Sequence, residues 1–548
     1  MMKTNFHKIV CAFCVGCAVS SCSEWEDHYE NLATSEGSST MLWQQLKGNP
    51  QLSDFCEVLE QTKVFRMHKK TPVSYADMLN SGQSFTVMAP VNNTFNKDSL
   101  LQLVQTAQGD SIVEKYFVKN HISRSLTSSK ADSTRMRLLN EKRVVVKDGT
   151  IGGVTITTPN QRAKNGIVQV MGSPVPYFQN IYEMLCDASE FKAIGTNLRS
   201  YEKDEFMPDA SVSNGIVDGV PVYVDSVVYE RNTLLEYLGE LREEDSTYVM
   251  VVPEAEGWTK AWDEAVKYFQ YDANTQKSDS LRDWWTTRAL LEDAIFNMTD
   301  QRSMDDSVVS VQYERRYTSL QPRYHIFYKP FEEGGIFANA EKVACTNGTI
   351  YKTKEWPFTP EQTFFKVLRS EAEQQSTILT EKDRDCMYYS RSVTADSVSE
   401  NGYLEIVPKK TTDDWSLTIR VDNNLSGTYD ICAIILPKSV ANTDDPDMRP
   451  CKFMASVNYV DASGKEKEYY CVDDEGWEEF ETDPARVDTV VLAKAFAIPT
   501  CNYLGNSQHN NKLSITLDCS ILPDEQKSYN RRMYLDCIYL RPRTSKSE

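Results

Sequence analysis

Two stretches far apart in the chain are written to one plan, and this limits the possible folds more than any other feature. Residues 84–95 read SFTVMAPVNNTF and residues 247–258 read TYVMVVPEAEGW. In each, an alternating apolar run breaks at a proline, Pro90 or Pro253, and Phe85 and Phe95 of the first correspond to Tyr248 and Trp258 of the second. Each is followed by a helical stretch and then an Asn-Gly turn entering a strand. These are Asn165-Gly166-Ile167-Val168-Gln169-Val170 and Asn347-Gly348-Thr349-Ile350-Tyr351, with Pro174 and Pro357 beyond them. A strand, a helix-opening loop, helices and an Asn-Gly strand, twice in the same order, predict two related domains.

Local chemistry agrees. Phe85, Val87 and Ala89 point one way and Thr86 and Met88 the other, the pattern of a half-buried strand. Beyond Asp110, Val113, Phe117 and His121 follow one helical face, so His121 is expected as a hydrogen-bonded core histidine, with no carboxylate or cysteine motif placed to partner it. Pro90 closes the strand, and Asn92 or Asn93 is expected to cap the next helix through its side-chain oxygen. Between the repeats, residues 214–228 read as a β-hairpin around Asp218-Gly219.

FTVMAPVNNTF resembles the first signature of fasciclin domains. VEKYFVKNHIS, residues 113–123, is similar to that family's tyrosine-histidine segment, and NGIVQV with Pro174 and Pro176 resembles its second signature. The likeness covers residues 41–178. The second copy departs from it: Ala255-Glu256-Gly257-Trp258 follows its proline, and LRDWWTTRALLEDAIF stands in place of the tyrosine-histidine helix, without a histidine. The resemblance implies a compact β-wedge with packed helices and a family known mostly for adhesion and extracellular binding.

From about residue 361 the texture changes. A helical or linker stretch to about Gln375 gives way to period-two runs: Trp415, Leu417, Ile419, Val421; Tyr429, Ile431, Ala433, Ile435; Phe453, Ala455, Val457, Tyr459; Leu513, Ile515, Leu517. Many short alternating strands between turn residues predict a β-sandwich. SGTYDICAIILP and, near the terminus, MYLDCIYLRP loosely resemble the last strands of galactose-binding-like jelly rolls, a fold often used for carbohydrate binding, though a fold alone specifies no site. The expected class is α+β, with two fasciclin-like β-wedge domains with packed helices at 41–178 and 179–360 and an all-β, jelly-roll-like sandwich at 361–548.

The amino terminus addresses location. Lys3 and Lys8 precede an apolar run from Ile9 to Ser20, and Val19-Ser20-Ser21-Cys22 ends it with small residues and a cysteine. This order reads as a cleaved secretory signal over 1–21. It resembles the lipobox of bacterial lipoproteins, which implies lipid attachment at Cys22 and anchoring by buried acyl chains, each methylene adding about 0.8 kcal/mol. No later stretch approaches the roughly 20 apolar residues that span a bilayer. Ser23-Glu24-Trp25-Glu26-Asp27 resembles the acidic export signal by which one Gram-negative phylum sends lipoproteins to the outer face of its outer membrane, while a solvated tether over 22–40 is the plainer alternative.

Among 548 residues, 41% hydrophobic content and 11% aromatics supply several cores, and a formal net charge of −20 argues against nucleic acid or an anionic membrane as partner. Ten cysteines follow Cys22, with no zinc-like spacing, and no particular pairing is favoured. Trp477 and Trp415 are the candidate ligand-binding residues. Trp477 lies in Asp473-Asp474-Glu475-Gly476-Trp477-Glu478-Glu479, where its ring is suited to stack on a sugar, though a solvated acidic loop accounts for the same residues. Trp356 is a further possible platform, against a place in the core. Asp444, Asp445 and Asp447 are close enough to donate to calcium, but Pro446 interrupts them, so no metal and no cofactor is expected. No nucleophile elbow, phosphate-cradling loop or zinc-binding helix occurs, so no catalytic residue is assigned and the chain is expected not to be an enzyme; paired carboxylates leave a glycoside-active enzyme as a minor alternative. The composite expectation is a lipid-anchored outer-membrane protein facing the cell exterior. It would capture glycan beside a nutrient importer or, alternatively, bind a protein as an adhesin.

Overall fold

The structure is a computed structural model that describes residues 39–543 except 67–68, 129–132, 211, 218–219, 226–227, 299–302, 317–318, 380–385, 442–445 and 504–512. The leader, Cys22 and the acidic segment lie outside the described residues, as do Asp218, Gly219, Asp444 and Asp445. Among the described residues no helix is long and apolar enough to cross a membrane.

The two repeated segments build two sheets on one pattern. In the first, Phe85–Pro90 runs parallel to Gly166–Met171, pairing Phe85 with Gly166 through Pro90 with Met171, and is flanked by antiparallel Ile122–Ser123 and Val154–Ala163. In the second, Tyr248–Pro253 runs parallel to Gly348–Thr353, pairing Tyr248 with Gly348 through Pro253 with Thr353, between Ile295–Asn297 and Glu341–Cys345. The first sheet continues to seven strands, the second stops at four.

The Asn-Gly pairs do more than turn the chain. Asn165 Oδ1 accepts the Leu42 N–H at 2.7 Å while its Nδ2 donates to the carbonyls of Leu79 and Ser81, both at 2.9 Å. Asn347 repeats this: Oδ1 accepts the Ile181 N–H at 2.9 Å, and Nδ2 donates to Leu241 and Glu243 carbonyls at 2.8 and 3.0 Å. Each asparagine therefore pins the start of a helix, Leu42–Lys47 or Ile181–Asp187, and the loop before the central strand. The glycine after it must be small, since a Cβ on Gly166 or Gly348 would fall 1.9 Å from the carbonyl oxygen of Phe85 or Tyr248.

Three local expectations change. Phe85–Pro90 is buried on both faces, because Val87 and Ala89 pack with Leu42 and Phe55 while Met88 enters a second core with Met136, Val144 and Val146. Neither Asn92 nor Asn93 caps the next helix, Lys97–Leu103; Asn96 does, accepting the Ser99 N–H at 3.0 Å. Asn92 reaches back instead to the first turn of Ser53–Gln61, accepting the Asp54 N–H at 3.0 Å. The stretch before Gln375, expected as helical or linker, holds one 3₁₀ turn, Pro360–Gln362, and then Leu368–Glu371, a strand already paired with Met533–Arg543.

That pairing begins the sandwich. One sheet has the order Cys386–Ser392, Gly402–Pro408, Met533–Arg543, Gly427–Ile435, Asp488–Ile498, and the other Ser416–Arg420, Ser514–Cys519, Lys452–Val460, Glu466–Tyr470. The period-two runs are its inner faces: Leu404, Ile431 and Leu535 meet Leu417, Phe453 and Ile515 in one core. The same core continues into the second repeat through Phe269, Phe364 and Phe365. Backbone bonds cross that junction, from Ser426 N–H to Tyr268 carbonyl at 3.0 Å and from Cys501 N–H to Gln270 carbonyl at 2.7 Å. The junction between the two repeats is polar by contrast, with Lys142 buried between Glu183 and Glu244 at 2.6 and 2.5 Å.

Candidate binding face of the β-sandwich

Trp415 is not a platform. It is 2% exposed, and its indole N–H donates to the Arg531 carbonyl at 2.6 Å, so both ring faces are spent on the core. This corrects the expectation, and the reason is its place one residue before an alternating strand whose odd positions face inward. Trp356 packs edge-on against Trp258 and Phe358 and lines a cleft of about 230 Å³ with Ala261, Leu290 and Phe364. Asp447 is committed to Arg449 at 2.6 Å, and that hydrogen-bonded pair holds its carboxyl well below the usual range.

Trp477 is 67% exposed. Its loop leaves the sheet edge between Cys471, whose N–H still bonds the Ala455 carbonyl at 2.9 Å, and Glu479, which resumes pairing opposite Met454. Asp473 ties the excursion by accepting the N–H groups of Glu475 and Trp477 at 2.9 and 2.8 Å, and Asp474 pairs with Lys494. Two of the loop's carboxylates are thus used to shape it.

The face beside this loop follows from strand alternation. Since Leu417, Ile419, Ile515, Leu517, Phe453, Ala455 and Val457 point inward, the intervening residues form cross-strand rows on the outer side. Thr418, Thr516, Ser456 and Tyr470 make one row; Arg420, Ser514, Asn458 and Glu468 make the next. They are joined by hydrogen bonds: Thr418 with Thr516 hydroxyls at 2.9 Å, Asn458 Nδ2 to Thr516 Oγ1 at 3.1 Å, and Ser456 Oγ and Tyr470 OH to the two oxygens of Glu468 at 3.0 and 3.1 Å. Tyr470 ends its row 62% exposed. Ser456 and Ser514 are buried and Arg420 is paired with Asp422, which leaves the Thr418 and Thr516 hydroxyls, the Asn458 amide and the Glu468 carboxylate, with the open Tyr470 ring at one edge, to hydrogen-bond and stack a polyhydroxylated ligand. Reading along the sequence singles out Trp477 but not Tyr470 or these rows, which exist only once four strands are in register.

A second cluster was also missed. Glu371, Asp536 and Cys537 are buried with one ligand atom of each within 4.8 Å of the others. Ser399 donates its N–H to both Asp536 oxygens at 3.1 and 3.3 Å and its hydroxyl to Glu371 Oε1 at 2.8 Å, yet Glu371 Oε2 and Glu373 Oε2 are buried with no hydrogen-bond partner. Burial pushes the Glu371 carboxyl up to about 7 and that of Asp536 up to about 6. Glu400 and Asn401 take left-handed φ of 48° and 58° to fold the chain onto the group, and a Cβ on Gly402 would fall 2.8 Å from the Glu373 carboxyl. Orphaned oxygens on converging buried carboxylates suit a hard, oxygen-seeking cation such as calcium; burial pushes the Cys537 thiol up, leaving it neutral there. The signal in the sequence was Glu371-Ala372-Glu373 together with a distant Asp536, too dispersed to recognise before the two strands meet.

In the first repeat, His121 is enclosed. The Val175 N–H donates to its Nε2 at 2.9 Å, and its Nδ1–H therefore donates to the Phe117 carbonyl at 2.7 Å. Burial lowers its pKa to about 4, so it stays neutral and structural. It closes a helical run of α, π and 3₁₀ turns from Ala107 to His121, within the seven-stranded unit. Residues 51–175 match the family model of the Fasciclin domain. The fasciclin segment thus contains the first parallel strand pair, the Asn165 clamp and His121. No curated protein matches the chain. Among solved structures, the FAS1 domain pair of the insect cell adhesion molecule Fasciclin I is similar at 13% identity and a TM-score of 0.20, over 57% of this chain and 98% of that one. A xylan-binding CBM22 domain is similar at 12% identity and a TM-score of 0.18, over 31% of this chain and 92% of its own. The CBM22-1–GH10 modules of a Clostridium thermocellum endo-1,4-beta-D-xylanase give 9% identity and a TM-score of 0.22, over 32% of this chain and only 28% of that one.

Proposed function

We propose that this chain is a cell-surface binding protein, anchored by lipid at Cys22 to the outer membrane and facing the exterior, which captures glycan through its β-sandwich beside a nutrient importer. The observation that carries the reading is the outer sheet face, where the exposed ring of Tyr470 ends a row of polar groups, with the exposed Trp477 in the loop that follows its strand. The leader sequence supports the anchoring, and the repeated parallel pairing and Asn-Gly clamp support a tandem of two fasciclin-like units that carry the sandwich. Affinity electrophoresis of the purified chain from Ser23 against a polysaccharide panel tests it. Saturable retardation is expected, weakened about tenfold or more in Tyr470→Ala or Trp477→Ala, given stacking worth about 0.5–1.5 kcal/mol per ring plus lost area. Retardation by none of the panel would count against it.

A protein-binding adhesin is the second reading, favoured by one observation. The hairpin of Ser307–Arg316 and Ser319–Tyr328 presents Tyr324, Ile326 and Tyr328 on one exposed face, a larger apolar display than isolated surface residues make. Tyr324→Ser with Tyr328→Ser should abolish co-purification of a partner from outer membranes if this reading holds, and leave glycan retardation intact.

A further inference from the structure

Among the ten cysteines of the described residues two pairs lie diagonally across neighbouring antiparallel strands, Cys432 with Cys537 and Cys451 with Cys519, and only in the second do the two thiols act on each other. Lys452–Val460 and Ser514–Cys519 are antiparallel neighbours in the five-stranded sheet, with Phe453 opposite Cys519 and the Ser520 N–H bonded to the Lys452 carbonyl at 3.1 Å. Cys451 and Cys519 are therefore diagonal neighbours on the same, inward side, and each thiol shifts the proton affinity of the other. Cys451 is fully buried, its backbone N–H held by Thr482 Oγ1 at 2.9 Å, whereas Cys519 is only partly covered.

From this juxtaposition we propose that Cys451 and Cys519 are a disulfide-forming pair, oxidised by a carrier disulfide when the chain reaches an oxidising compartment. The setting rests on the export reading; the pairing does not.

The local chemistry assigns the two sulfurs different parts. The neighbouring Cys451 thiol lowers the Cys519 pKa, and the buried Arg531 guanidinium adds to this, while the Cys519 thiol together with burial raises that of Cys451. Cys519, the more accessible sulfur and the one biased to thiolate, attacks one sulfur of the carrier's disulfide, and the carrier's other sulfur leaves as thiolate. Cys451 then gives up its proton and attacks the Cys519 sulfur, expelling the carrier's first sulfur. Two thiols lose two protons and two electrons, and the carrier disulfide becomes a dithiol. The link would close the segment 451–519, which contains Tyr470 and the Trp477 loop, against the sheet that supports them. Cys432 and Cys537 have no second thiol among the groups that shift them, and Cys56 and Cys471, for instance, are raised to about 12 by burial in apolar clusters and behave as small hydrophobes.

The test is peptide mass spectrometry of the full chain expressed with its own leader, acid-quenched and alkylated before digestion. In a parallel sample the purified protein is reduced and then re-equilibrated with oxidised glutathione under native conditions. A Cys451–Cys519 cross-linked peptide is expected in both, lost on reduction and absent from Cys519→Ser, with a melting temperature lower by roughly 5 °C or more in the reduced protein. Both cysteines recovered alkylated in both samples, or either one joined to a different cysteine, overturns the proposal. A link formed by glutathione but missing from the cell-made chain is resolved by fractionation. Free thiols in envelope-located protein overturn it, while cytosolic protein contradicts the export reading and leaves the pair standing.

Discussion

Single residues carry the repeat. Asn165 and Asn347 each satisfy one backbone donor and at least two carbonyls that no other group in their loops reaches, so truncation leaves buried polar groups unpaired. Asn347→Ala should cost about 3 kcal/mol in urea unfolding, and Asn165→Ala about the same, since a buried unsatisfied group costs about 1–3 kcal/mol. An unequal outcome, with one costing nothing, would separate the two units. At Glu371 and Asp536 the prediction concerns pH. Burial raises both carboxyls above their unfolded values, so the folded chain holds more protons than the unfolded chain between about pH 4 and pH 7. Stability without divalent cation should therefore be full below pH 4 and fall as pH rises through 6 to 7, by on the order of 2 kcal/mol. Calcium should raise the melting temperature at pH 7.5 and do little at pH 4.5, where the carboxyls are protonated; Asp536→Asn should remove most of the response. Calorimetry with calcium or a chelator reads both.

At the scale of elements, alternation made the sandwich legible: Leu417 with Ile419, Phe453 with Val457 and Ile515 with Leu517 announce strands and their inner faces before any coordinates. Alternation also hid what matters on the other side. Ser456, Thr516 and Thr418 are ordinary polar residues along the chain, and only cross-strand register makes them a row ending in Tyr470. Trp415 shows the limit from the opposite direction, because an aromatic at the head of an inward run belongs to the core whatever its chemistry. The strand Phe85–Pro90 misled for a related reason: a parallel central strand covered on both faces looks half-polar through Thr86, whose hydroxyl is satisfied by the Ser125 carbonyl at 2.7 Å. Asn92 was read as a local cap and proved a long-range one, since its sequence neighbours do not reveal that Ser53–Gln61 lies beside it.

The whole molecule divides unevenly. The first unit meets the second through ion pairs around Lys142, whereas the second unit and the sandwich share an aromatic junction in which Tyr268 and Phe365 lie 4.5 Å apart and Phe269 and Phe364 5.5 Å. Phe365→Ala should lower the unfolding transition of the second unit and the sandwich together, by about 3–5 kcal/mol, and leave that of the fasciclin segment unmoved in scanning calorimetry. Lys142→Met should instead uncouple the first unit with little effect on the rest. The aromatic junction ties the sandwich to the second unit, and the proposed capture role places the ligand on the polar sheet face of that sandwich. The most direct measurement of that claim is a hydrogen–deuterium exchange footprint of the chain with a polysaccharide that retards it. Protection is predicted at 454–458, 466–479 and 514–518; protection confined to the hairpin around 307–328, with the sandwich face unchanged, would contradict the account.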